Sequence, residues 1–177
     1  MQKAKQRSEI AQQDKWRIED IYATDEAWEA DYNECIRRAK EKCVYQGRLA
    51  ESALILYQAL KESDEADLLV EHVYVYAFMK YYEDTANAVY QEMSGRAQAA
   101  VTKLSEKYAF LTPEILAIDQ KKMQEYLNSD TLALYRHALE DILAKKEHAL
   151  SEKEERLLAM AGQVTASPNE IFSKFNN

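Results

Sequence analysis

Three histidines, two cysteines and 31 carboxylate side chains are the residues of this 177-residue chain that could grip a metal or move a proton. A zinc-hydrolase helix needs His-Glu-x-x-His, which sets two imidazoles on one face with a glutamate beside them. The histidines here are His72, His137 and His148; none is followed by glutamate, and no two are four apart. Helical di-metal sites use Glu-x-x-His. The residues three before the histidines are Leu69, Leu134 and Lys145. His137 and Asp141 could offer two ligands one helical turn apart, but such pairs are ordinarily surface hydrogen bonds, and two ligands make a weak site. The sequence assigns no catalytic, cofactor-binding or metal-ligating residue.

Cys35 and Cys43 lack the C-x-x-C spacing of metal and redox sites. On a shared helix, eight residues at ~1.5 Å each would hold them ~12 Å apart, beyond disulfide reach. They read as small buried hydrophobes. Only Gly47, Gly95 and Gly162 occur, so there is no glycine-rich phosphate loop. The net charge of −8 disfavours a nucleic-acid partner. The densest basic group, Arg37, Arg38, Lys40 and Lys42, is interleaved with Glu34 and Glu41 and reads as a solvated helix face. The cluster Tyr74, Tyr76, Phe78, Tyr81 and Tyr82 has two readings. It could be a groove contacting a peptide or partner, or a helix core with hydroxyls reaching water, the commoner case at helical spacing.

The elements that must carry these residues are helices. Three glycines and two prolines cannot supply the turns of a sheet. The expected fold is an all-α, multi-helix antiparallel bundle of six to eight helices. A helix over Thr24–Gln46 presents Trp28, Tyr32, Cys35, Ala39 and Cys43, with Gly47 as its stop. A shorter helix follows with Leu49, Ala53, Leu56 and Leu60, and Ser63 and Asp64 offer the cap of the next. Residues 65–83 are apolar over a wide arc, as befits a central helix. Asp84–Asn87 is a turn or a continuation. Val89, Met93, Ala97, Ala100 and Leu104 mark another helix, in which the alanines allow close approach. Thr112 and Pro113 read as a helix start. Leu132, Tyr135, Leu139, Ile142 and Leu143 share one further helix. Ser151 with Glu154 forms a capping box, Gly162 ends that helix, and Ser167 and Pro168 open a last one with Ile171, Phe172 and Phe175. Residues 1–13 are expected to be a frayed arm and 14–177 one helical domain. No apolar run approaches a membrane span. The cysteine usage and the lack of a readable secretory leader point to a reducing, cytoplasmic compartment.

Several stretches resemble, in order, the opening segment of oligoendopeptidase F, a family of bacterial zinc metallopeptidases. DKWRIEDIYATDEAWEADY (Asp14–Tyr32) resembles the family's start and YQGRLAESALILYQAL (Tyr45–Leu60) its second block. VYVYAFMKYYEDTANAVYQEM (Val73–Met93) is similar to its tyrosine-rich helix and Asp-Thr turn, and FLTPEILAI (Phe110–Ile118) to its Pro-Glu-Ile segment. LYRHALEDILAKKEHALSEKEERLLAMAG (Leu134–Gly162) departs at Glu147, where the family often has proline. The resemblance implies a parent that cuts short peptides in the cytoplasm with a zinc ion on a later His-Glu-x-x-His helix and a downstream glutamate. This chain would be a non-catalytic helical portion lining the wall of a substrate channel. Its partners would be the catalytic domain of the same polypeptide and, through the parent, short peptides. An apolar face left without that domain could drive homo-oligomer formation. The alternative is a stand-alone helical interaction module binding through Tyr74–Tyr82.

Overall fold

The structure is a computed structural model that describes residues 9–145. These residues are all-α, with no strand among them. Among the described residues there are six α-helices: α1 (Asp25–Lys40), α2 (Ala53–Glu83), α3 (Ala88–Tyr108), α4 (Leu111–Ala117), α5 (Gln120–Leu127) and α6 (Arg136–Ala144). Single 3-10 segments lie at Gln12–Asp14, Ile18–Asp20 and Asp130–Tyr135. Of the arm expected at 1–13, residues 1–8 lie outside the described residues, as do Ser151, Glu154, Gly162 and the helix expected after Ser167. The chain falls into two compact units that divide between Arg136 and His137. The second contributes only residues 137–145 to the description, with Leu139 fully buried.

In the first unit the core is a hairpin of α2 and α3 with α1 laid against both. Buried positions on α2 run Leu56, Ala59, Ser63, Ala66, Val70, Val73 and Ala77; on α3 they run Met93, Ala97, Ala100, Leu104 and Tyr108. Steps of three or four residues keep each stripe on one side of its helix. The small Ala59, Ser63 and Ala66, with Ala97 and Ala100 on the other helix, let the two backbones approach closely. Only residues 84–87 join the helices, so they must run antiparallel. The turn ends at Asn87, whose side chain accepts from the Val89 amide at 3.0 Å and caps α3.

Several expected boundaries move. The two helices expected before and after Ser63 are one 31-residue helix. Its cap is Ser52, which accepts from the Ile55 amide at 3.2 Å, while Ser63 is buried mid-helix. Asp64 instead accepts the Tyr135 hydroxyl at 2.7 Å. A cap-type residue is released from capping when a tertiary partner uses its oxygen. Helix α1 stops at Lys40, not Gln46, so Cys43 lies in the following loop and the cysteines do not share a helix. Both are nonetheless buried and unbridged. The loop is held from outside: the Glu114 carboxylate accepts the amides of Gly47 (2.9 Å) and Leu49 (2.7 Å), and the Tyr126 hydroxyl donates to the Ala50 carbonyl at 3.0 Å. Gly47 has φ of 81°, a conformation other residues resist. Burying Cys43 and Leu49 and pairing these amides outweighs the helical propensity of the segment.

Helix α4 starts one residue before Thr112, which places Pro113 at its third position. Its missing N–H falls among those that a first turn leaves unbonded anyway. Helix α5 was not expected from the pattern. Asp119 caps it, accepting from the Lys121 and Lys122 amides, and Met123, Tyr126 and Leu127 pack inward. Leu132 and Tyr135 lie on a 3-10 segment, and Leu139 on α6.

The Trp28 indole donates to the Val73 carbonyl of α2 at 2.8 Å and stacks on Tyr32 at 5.4 Å. The Arg96 guanidinium from α3 lies 4.2 Å from the Tyr32 ring centre and 5.2 Å from that of Trp28, and pairs with Glu29. Two rings and a carboxylate, all on α1, thus enclose one cation.

Candidate functional site

The residues weighed for chemistry stand apart from one another. His72 is exposed on α2. His137 is also exposed; its Nε2 lies 3.8 Å from Asp141 Oδ2, too far for a hydrogen bond. His148 lies outside the described residues. Among the described residues no three His, Cys, Asp or Glu side chains come together as a metal would require. Burial pushes the Cys35 thiol up to about 11, away from the thiolate form that reacts.

The basic group at the end of α1 is paired. Arg37 donates two bonds of 2.6 Å to Glu34 and also contacts Glu41, and Arg38 Nε reaches Glu34 at 2.8 Å. These bonds from Arg37 and Arg38 hold the Glu34 carboxyl down to about 2. Beside them, Lys107 Nζ donates to the Arg38 carbonyl at 3.1 Å and to Glu62 at 3.2 Å, and the Tyr108 hydroxyl donates to Glu62 at 2.9 Å.

The tyrosine cluster divides by helix face. Tyr76 belongs to the core: its ring meets Tyr22 edge-on at 5.3 Å, and its hydroxyl donates to Asp25 at 2.7 Å. Lys80 pairs with the same carboxylate at 3.0 Å. Burial and that bond push the Tyr76 phenol up to about 12. Burial alone would raise the Asp25 carboxyl, but the bonds from Tyr76 and Lys80 outweigh it and leave it lowered. The remaining rings form a row on another side of α2. Tyr74 stacks on Phe78 at 4.2 Å, Phe78 meets Tyr81 and Tyr82 at 6.4 and 6.1 Å, and Tyr81 meets Tyr82 at 5.3 Å. The first three are half-buried and Tyr82 is 70% exposed.

Tyr82 leads into a cleft of about 450 Å3 between the end of α2 and the segment that precedes α1. Among the described residues its apolar lining comes from Ile10, Ile18 and Met79, its rings are Trp16 and Tyr82, and Asp14, Lys15 and Glu83 bring charge. Ile18 is buried and Trp16 is 75% exposed. Sequence reasoning singled out Tyr82 but not Trp16. The available signal was a tryptophan two residues before an apolar Ile18, in a stretch without helical periodicity. Among the described residues the lining thus combines apolar, aromatic and charged side chains.

Comparison with known proteins gives a consistent picture. The family model described as Oligopeptidase F matches residues 114–177. The chain is 40% identical over 172 residues to an oligopeptidase from Bacillus subtilis, covering 97% of this chain and 26% of the relative. It is 40% identical to an oligoendopeptidase F homolog from Lactococcus lactis, covering 98% of this chain and 29% of that protein. Among solved structures, the oligoendopeptidase F of Enterococcus faecium superposes with a TM-score of 0.71 at 30% identity, over 86% of this chain and 30% of that one. The chain therefore spans little more than a quarter of the length of the curated relatives it matches.

Proposed function

This chain is the N-terminal part of an oligoendopeptidase F-type peptidase, and on that footing we propose that it is a non-catalytic helical region that shapes the wall of a channel admitting short peptides. The observation that carries the reading is the asymmetry of coverage. Nearly all of this chain finds a counterpart, in a stretch that makes up 26–29% of the relatives. The peptide-cleaving zinc centre that the family implies does not fit the described residues, where no three ligand-type side chains converge. No step of hydrolysis is therefore assigned to them. In this reading the zinc and its ligands come from other polypeptide, which is also this chain's partner. Two free, buried cysteines accord with a reducing, cytoplasmic setting. Among the described residues no helix is long and apolar enough to cross a membrane.

The test mixes this chain with zinc and a quenched fluorescent peptide. Turnover that a chelator abolishes would contradict the reading, whereas no turnover is expected. The second arm puts Trp16→Ala and Tyr82→Ala into the full-length peptidase. A channel-wall role predicts altered selectivity among peptides of different length or sequence, with the zinc content unchanged.

A second reading, a stand-alone helical interaction module, is favoured by the exposure of Trp16 and Tyr82. It predicts saturable capture of a partner by this chain alone, lost in Tyr82→Ala without loss of fold.

A further inference from the structure

We propose that residues 42–51, in the loop that joins α1 to α2, open as a unit, that the Glu114 carboxylate is the latch that holds them shut, and that opening delivers the Cys43 thiol to small electrophiles in water. The device stands on the loop alone, whether or not the chain lines a channel.

The loop is tied to the fold at few points. Inside it, the Arg48 amide donates to the Tyr45 carbonyl and the Glu51 amide to the Arg48 carbonyl, each at 2.9 Å, and Arg48 pairs with Glu51. These bonds are local and travel with the loop. Among the described residues, three hydrogen bonds tie residues 42–51 to other parts of the fold. Two of them end on Glu114: Oε2 accepts from the Gly47 amide at 2.9 Å and Oε1 from the Leu49 amide at 2.7 Å. The third runs from the Tyr126 hydroxyl to the Ala50 carbonyl and fixes the end beside α2, where the hinge then lies. Hydrogen bonds to an ionised acceptor are about twice as strong as neutral ones. One side chain therefore supplies most of the polar hold.

The latch also sets a backbone condition. Gly47 has φ of 81°, in the left-handed region that residues with a Cβ resist. Behind the latch lie the two apolar side chains that the loop buries, Cys43 at 7% exposure and Leu49 at 0%. Segments held by few buried contacts and few backbone bonds open locally, without unfolding of the whole. Clefts of about 700 and 510 Å3 border this loop, the first lined in part by Cys43 and the second by Gly47 and Glu114. Cys35 is the contrast: it is 0% exposed and sits within α1, so reaching it requires that helix to come away from the core.

The experiment labels the 177-residue chain with iodoacetamide, whose iodide a thiolate displaces to form a thioether, and follows both cysteines by peptide mass spectrometry. Each rate is divided by that of the same thiol in the urea-unfolded chain. By that measure Cys43 is expected to react faster than Cys35. Glu114→Gln removes the charge and one acceptor oxygen, and should speed Cys43 about tenfold while leaving Cys35 unchanged. Gly47→Ala should speed Cys43 about fivefold. A Cβ at Gly47 meets nothing within 4 Å, so crowding would not be the cause. Equal acceleration of both thiols would mean that the whole fold has loosened, and would overturn the proposal. So would a Cys43 no faster than Cys35 in the unsubstituted chain, or a Cys43 rate untouched by Glu114→Gln. The assay uses neither peptide nor zinc, so it succeeds or fails independently of the channel-wall reading.

Discussion

The site around Arg96 and the cleft at Trp16 share side-chain chemistry and differ in what surrounds it. Trp28 is 1% exposed, hydrogen-bonded to α2 and in contact with Arg96 of α3, so its ring is part of the core. Trp16 belongs to a short irregular segment and keeps most of its ring surface in contact with solvent. Around the half-buried Arg96 the cation is supplied by the same chain, and the contact joins α3 to α1. The difference teaches that residue type does not separate a core tryptophan from a surface one; the packing of the elements that carry it does.

The largest expected effect tests that distinction directly. Trp28→Ala should destabilise the fold by about 3–5 kcal/mol, as for other buried aromatic truncations. Trp16→Ala should stay within about 0.5 kcal/mol of the parent chain. Urea unfolding measures both, and equal losses would erase the contrast. Next comes Arg96→Met, which keeps apolar bulk and removes the charge. Because Arg96 and Glu29 are both partly solvated, the expected loss is only about 1 kcal/mol.

A smaller effect is the pH dependence of the same pair. The bond from Arg96 lowers the Glu29 carboxyl below its ordinary value of 4.5, against the opposing pull of burial. A carboxyl lowered on folding contributes stability that is present above the unfolded value and is lost as pH falls through the native one. Stability should therefore decline below about pH 4.5, and less steeply in Arg96→Met, as the urea midpoint between pH 3 and 6 would record. Asp25, lowered by Tyr76 and Lys80 from 3.8, adds to the same decline. The smallest effect is on the outer aromatic row. Tyr82→Ala should leave stability within about 0.5 kcal/mol of the parent. A much larger loss would make Tyr82 part of the core.

The sequence by itself determined that the chain is all-α. Scarce glycine and proline leave no turns for a sheet, and apolar periodicity over Met93–Leu104 and Val70–Ala77 fixes the buried faces, because a 3.6-residue repeat can bury only one side. The order of its segments also determined its relationship to oligoendopeptidase F. Only the tertiary structure decided where helices stop and which aromatics are core. Ser63 and Asp64 look like a cap until packing buries the one and Tyr135 takes up the other. Lys40 ends α1 because Glu114, distant in sequence, binds the amides of Gly47 and Leu49. Tyr76 and Tyr82 are alike as residues, yet one meets Tyr22 and Asp25 and the other meets a cleft that includes Trp16. Local propensities differ by less than about 1 kcal/mol per residue, so a single long-range hydrogen bond or buried ring is enough to override them.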